Sequence, residues 1–278
     1  MLTAALVEGR IEVRRQGEEG GAPFVTQNAA ADARPHLHPI LAPDGVGTLT
    51  EDAPPHHPWQ HGLYVGLNDV NGVGFWEEGV GGNAEDGTFH PRPLKAPTTT
   101  DGRVAWNVES VWRDPDGHDL LGETQAWTAA VSGDVLVLDM AWTLSARTDL
   151  TFGEYAYGGL FLRMPYRQQR GGTMMNSEGQ AAQQAAEGQR ARWVAVAMQV
   201  DGRESPAGIA ILDHKNNAEH PVPWRVDGQL GISPSRCIAG AWKIGEGEAV
   251  LTQYRVLVFA GDIDGAMIDD AWQQFVTQ

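Results

Sequence analysis

The 278-residue chain carries 20 Lys plus Arg against 36 Asp plus Glu, a formal charge of −16. A surface that acidic repels nucleic-acid phosphates and anionic lipid, so neither is expected as a partner. With 42% hydrophobic and 20% charged residues the chain has the material for a packed core, which excludes disordered and low-complexity architectures. The single cysteine, Cys237, excludes an internal disulfide; no C-x-x-C pair, signal-like N-terminus or run of about 18 apolar residues occurs, so the sequence reads as a soluble, cytoplasmic protein.

With 34 Gly and 16 Pro the chain is punctuated every few residues, which favours short strands joined by turns. Leu2–Val7 and Arg10–Arg15 flank Glu8-Gly9, a pattern that predicts an opening hairpin. In residues 134–144, Leu136, Leu138, Met140, Trp142 and Leu144 share one face, a period of two that predicts a strand with one apolar side. The same period recurs over 193–200 and 250–259. The Gln- and Ala-rich stretch 177–188 fits either a short helix or a loop. After Asp262 or Asp264 as N-cap, Met267, Ile268, Trp272 and Phe275 fall at helical spacing, which predicts a C-terminal helix near 263–276. No repeat or linker divides the sequence, so residues 1–278 are expected to form one domain. Because sheet edges must be hidden, the expected fold is an all-β, two-sheet sandwich with over half of its residues in strands.

Five of the nine histidines, His36, His38, His56, His57 and His61, lie within 26 residues, where an even spread would place about one. The text around them is dense in Pro and Gly, which places the side chains on loops and strand ends, and Pro58 argues against helical zinc ligands at i and i+4. A second polar group, Asp213, His214, Asn216, Asn217 and His220, follows the apolar run 208–212, and strand ends of this kind are where sites are built. Each of these residues also has a plain structural role open to it: an imidazole bonded to a carbonyl, a turn-forming Asp, an Asn in left-handed backbone. Arg163, after GGLFL, is either an edge residue or a buried clamp for anions and hydroxyls. Glu154, between aromatics, is either an acid/base group or a solvated carboxylate. The ten tryptophans serve mostly the core, though indole faces also stack on the C–H faces of sugars.

The strings RPHLHPILAPDG, HPWQHGLYVGLNDVNGVGFW, FGEYAYGGLFLRMP and GIAILDHKNNAEHPVPW, in order over nearly the whole chain, resemble a bacterial family labelled "methane oxygenase PmoA", a family of unknown function. The methane monooxygenase subunit of that name is a membrane protein, and its activity does not carry over to a chain without a membrane-length apolar run. The resemblance implies a β-supersandwich of the galactose-mutarotase type and a role in sugar metabolism. Where the family shows D-H-P-x-H-H-G, this chain has His56 for the aspartate and Gln60 for the first of the paired histidines, while His57 and His61 remain. The departures bear on whether this member keeps activity.

From residues and resemblance together, the expected function is processing or binding of a small carbohydrate, with cofactor-independent proton transfer of the epimerase or eliminase type. His61 is the expected acid, Asp213 or Glu154 the base, and His57 a further catalytic group; His38, Arg163, His214 and Asn217 would bind substrate. One alternative is a zinc or manganese site of His38, His57, His61 and His220. The other is a binding or structural protein without chemistry.

Overall fold

The computed structural model describes residues 1–17, 20–78 and 83–277. β1 (Leu2–Val7) and β2 (Arg10–Arg15) form the expected hairpin. Its turn holds Glu8 at φ 48° and Gly9 at φ 78°, the left-handed pair whose twist matches that of the flanking strands. There follow β3 (Val25–Asn28), β4 (His36–Ile40), β5 (Leu63–Gly66), β6 (Thr88–Pro91), β7 (Thr98–Thr100) and β8 (Arg103–Arg113). The long β9 (Asp119–Ser132) and β10 (Val135–Ala146) lead to β11 (Leu150–Phe152), β12 (Gly159–Leu162) and β13 (Thr173–Asn176). A one-turn helix α1 (Gln183–Ala186) precedes β14 (Trp193–Met198), β15 (Ala207–Asp213), β16 (Trp224–Val226) and β17 (Ile232–Pro234). The chain closes with β18 (Trp242–Ile244), β19 (Ala249–Ala260) and helix α2 (Gly265–Val276).

Two large sheets result, one of eight strands in the order β1-β2-β3-β4-β5-β12-β17-β16 and one of nine in the order β13-β14-β15-β19-β10-β9-β8-β6, with β7 also paired to β8. The fold is nearly all-β, with 45% of residues in strands and 7% helical. That is below the half expected from the sequence, because long connections, above all the Pro-rich 41–62 and the described residues of the Gly-rich 67–87, run outside the ladders. Those connections build the candidate site described below.

The period-two segments sit where their alternation demands. Leu136, Leu138, Met140, Trp142 and Leu144 of β10 enter the core between the sheets and meet Leu37, Ile40, Leu63, Val65, Leu160 and Leu162 from the other side. The opposite face of the nine-stranded sheet presents Trp193, Leu212, Leu257 and Phe259, which α2 covers with Ile268 and Phe275. Asp264 caps that helix, its carboxylate accepting from the amides of Ala266 and Met267, which satisfies two donors that have no intrahelical partner. No helix among the described residues is long and apolar enough to cross a membrane.

The interior also holds polar side chains, among them Glu123 and Gln125. Glu123 on β9 is buried and accepts from Gln125 Nε2, Trp142 Nε1 and Trp112 Nε1. Burial holds its carboxyl above the usual range, although these three donors pull it down. An acid whose folded pKa is raised gives stability that is fully present below its ordinary value of about 4.3 and lost as pH rises through the raised value. Wild type is therefore expected to lose stability relative to Glu123→Gln as pH is raised from about 4 toward neutrality. Urea denaturation of both proteins at pH 4 and 7 checks this, and an equal difference at the two pH values would refute it.

Candidate functional site

On the eight-stranded sheet, side chains that alternate with the core residues point away from the nine-stranded sheet. Tyr64, between core residues Leu63 and Val65, and Phe161, between Leu160 and Leu162, pack there with Trp76, flanked by Trp59 and Tyr157. His36 and His38 of β4 alternate likewise with the core residue Leu37. The connection to β5 folds back on itself, with Asp52 and His61 as an antiparallel bridge pair and with His57 N donating to Pro54 O and Gln60 N to His57 O. Gly62 follows at φ 64°, and a Cβ there would stand 2.4 Å from the Leu37 carbonyl oxygen, so the close approach of loop to strand beside His61 requires glycine.

His61 is the centre of the resulting cluster. Its Nδ1 lies 2.7 Å from Asp52 Oδ1 and its Nε2 3.4 Å from Glu78 Oε2. Its ring stacks on that of His36, centroids 4.9 Å apart and planes at 25°. His36 Nδ1 donates to the Arg34 carbonyl at 3.0 Å, which leaves Nε2 as the acceptor nitrogen, 3.9 Å from Asp52 Oδ1. Arg34 is 1% exposed. Its Nε pairs with Glu78 Oε1 at 2.9 Å, its Nη2 donates to the carbonyls of Phe75 and Trp76, and its guanidinium lies over the Tyr64 ring.

These contacts divide the charge. Burial, followed by the neighbouring His61, lowers the His36 imidazole to about 4, so it is neutral at physiological pH. Burial alone would also lower His61, but its hydrogen bonds to Asp52 and Glu78 outweigh it and raise the value. Asp52 and Glu78 feel burial in the opposite sense, yet both are lowered, Asp52 chiefly by the bond from His61 and Glu78 chiefly by the Arg34 charge. The arrangement is an imidazole made more basic between two carboxylates made more acidic.

Beside this cluster lie buried polar atoms without a hydrogen-bond partner among the described residues: Tyr64 Oη, His57 Nδ1, Gln60 Oε1 and Arg163 Nη1. Unpaired buried polar atoms are costly. An open cleft of about 840 Å³ reaches the same region, lined in part by His38, Thr50, Glu51, Asp52 and Arg167.

The residues singled out from the sequence fall into three groups. His61, His57, His38 and Arg163 belong to this face: His38 Nδ1 is bonded to Thr50 Oγ1 at 2.9 Å, and the buried Arg163 holds His56 Nε2 at 2.8 Å and Glu51 at 3.3 Å. Glu154 is exposed on the segment after β11. Asp213, His214, Asn217 and His220 form a separate network at the end of β15, in the other sheet. Asp213 there accepts from Asn217 Nδ2, the Val222 amide and His220 Nδ1. His220 stacks on Trp272 of α2, and His214 meets Phe275 edge-on. No hydrogen bond, ion pair or ring contact among the described residues joins Asp213 to His61. The expected pairing of the two is replaced by His61 with Asp52 and Glu78, because the Asp213 carboxylate is already used to fasten the 214–222 loop.

The expected histidine set His38, His57, His61 and His220 does not converge either, since His220 is bound into the Asp213 network. The donor group that forms is His36, Asp52 and His61, whose ligand atoms all lie within 4.8 Å of one another. Sequence reading passed over Arg34, Asp52, Tyr64, Trp76 and Glu78. Asp52 had a usable signal, since E-D-A-P-P before H-P-W-Q-H is a turn that sets its two ends opposite each other. Glu78 and Arg34 had none, because their encounter depends on the packing of two distant connections.

The family model described as "Family of unknown function (DUF6807)" matches residues 11–273, and the chain belongs to that family. No curated protein matches the chain in sequence. Among solved structures, it is similar to a galactose mutarotase related enzyme from Lactobacillus acidophilus, with 8% identity, TM-score 0.37 and coverage of 93% of this chain and 97% of that one. It is also similar to the GH36 alpha-galactosidase AgaA from Geobacillus stearothermophilus, with 10% identity and TM-score 0.38 over 94% of this chain. There it spans 41% of that enzyme's length.

Proposed function

For this member of a family of unknown function, we propose processing of a carbohydrate on the outer face of the eight-stranded sheet, by proton transfer centred on His61. The observation that carries the reading is the placement of His61 between Asp52, at 2.7 Å, and Glu78, at 3.4 Å. Ring opening of a sugar, epimerisation and elimination each need one group to deliver a proton and another to remove one, both close to the reacting atoms. His61 delivers and a neighbouring carboxylate removes. The shorter bond to Asp52 orients the ring, and the longer contact leaves Nε2 as the end that exchanges a proton with substrate.

The sugar class rests on the surroundings. Trp59 and Tyr157, only partly buried, offer aromatic surface for C–H faces, and His38, Thr50, Glu51, Asp52 and Arg167, which line the open cleft, offer donors and acceptors for hydroxyls. The two departures from the resembling family's pattern lie outside the Asp52–His61–Glu78 group: His56 bonds Arg163, and Gln60 is buried beneath the turn. They leave the proton-transfer groups in place. Incubation of the protein in D₂O with a panel of aldoses, ketoses and uronates, followed by proton NMR, tests the reading. Faster anomer interconversion or deuterium entry into a C–H position of one sugar class is expected. If no sugar in the panel is turned over, the catalytic reading fails.

A further inference from the structure

We propose that His36, Asp52 and His61 bind one divalent transition ion of the zinc class. The inference goes beyond the proton-transfer reading and does not rest on it, since a proton and a cation are alternative occupants of the same donors. The three ligand atoms lie within 4.8 Å of one another, a spread that small side-chain rotations close around an ion held at about 2 Å from each.

The outward nitrogens of the two rings carry the argument further. Imidazoles that ligate metals almost always bond a carbonyl or carboxylate through their other nitrogen, which fixes the tautomer and aims the ring. Both rings here are held in that way. His36 Nδ1 bonds the Arg34 carbonyl at 3.0 Å, and His61 Nε2 faces Glu78, which Arg34 in turn fastens. The two remaining nitrogens, His36 Nε2 and His61 Nδ1, lie 3.9 and 2.7 Å from the same oxygen of Asp52. His36 is stacked on His61 and directed at the same Asp52 oxygen, which supplies the second nitrogen donor that a metal site of this class uses.

Two nitrogens and one carboxylate oxygen favour zinc-class ions over magnesium or calcium, which take oxygen-rich sites. Three protein ligands leave positions open toward the cleft that Asp52 lines, where water or a pair of vicinal hydroxyls would coordinate. The other grouping of this kind among the described residues, Asp114, Asp116 and His118, is exposed in the β8–β9 turn, where Asp114 accepts from the His118 backbone and ring. It serves as the control.

Chelator-treated protein titrated with zinc chloride by isothermal calorimetry decides the matter. One saturable zinc per chain is expected. Affinity should fall by at least about tenfold in His36→Gln and in Asp52→Asn, and by about 10- to 100-fold in Glu78→Gln. It should stay unchanged in Asp114→Asn, and millimolar magnesium should not compete. Circular dichroism verifies folding; Asp52 has a side chain 38% exposed, so Asp52→Asn remains a fair test even if His36→Gln fails to fold. Absence of saturable zinc binding by wild type, survival of binding in Asp52→Asn, or its loss in Asp114→Asn would each overturn the proposal. The titration reads binding and not turnover, so a silent sugar assay leaves it untouched.

Discussion

His61→Ala is expected to lower turnover of the sugar identified by NMR by about 10²- to 10⁴-fold, the span typical of a positioned acid/base group. The variant should still fold, with a lowered melting temperature. His61 stands in the connection between β4 and β5, its side chain 17% exposed, and its contacts are the bonds to Asp52 and Glu78, the stacked ring of His36 and the ring of Tyr64, not the sandwich core. Hydrogen bonds to charged groups contribute about 1.5–3 kcal/mol each. Kinetics and thermal denaturation on the same preparation separate the outcomes. A variant that folds and keeps its activity makes the histidine cluster structural and removes the acid assigned above. A variant that also sheds a bound ion points to the donor group, and His36→Gln must then fail in the same way.

Arg34→Ala is expected to cost about 3–5 kcal/mol of stability, the range for breaking a buried ion pair by removing one partner. Arg34 is 1% exposed and Glu78 10%, so the variant leaves the Glu78 carboxylate without its guanidinium and, among the described residues, with His61 alone beside it. It also strips donors from the Phe75 and Trp76 carbonyls. Turnover should fall with stability, because Glu78 then loses the charge that holds it against His61. Arg34→Lys should recover little, since one ammonium cannot reach the carboxylate and two carbonyls as the planar fork does. Urea denaturation measures the first effect, and a loss below about 1 kcal/mol would show that Glu78 is held by other means.

Much of the scaffold was readable in advance because its signals are local. The alternation of 134–144 appears as β10 with Leu136, Leu138 and Met140 in the core, and Glu8-Gly9 makes its turn through backbone angles that each residue adopts by itself. Asp264 caps α2 through amides two and three residues away. The strand fraction was overread for a related reason: Gly and Pro signal that a helix will not form, but do not say whether the chain between them pairs.

The candidate site divides along the same line. That imidazoles gather around residues 36–61 is a matter of composition, and the sequence alone determined it, together with the nearness of His57, His61 and Pro58 on one turn. Which carboxylate serves His61 depended on the tertiary structure. Asp213 was as acidic and as well placed after a strand as any candidate, but its oxygens went to Asn217, Val222 and His220. Glu78 reached His61 because Arg34, 44 positions earlier in the chain, became buried and drew the 75–78 segment across the sheet face. Periodicity and turn chemistry act over a few bonds and are written into the sequence one residue at a time. The partner of a buried charge is chosen by desolvation and packing between segments far apart, and only the folded sandwich brings those segments together.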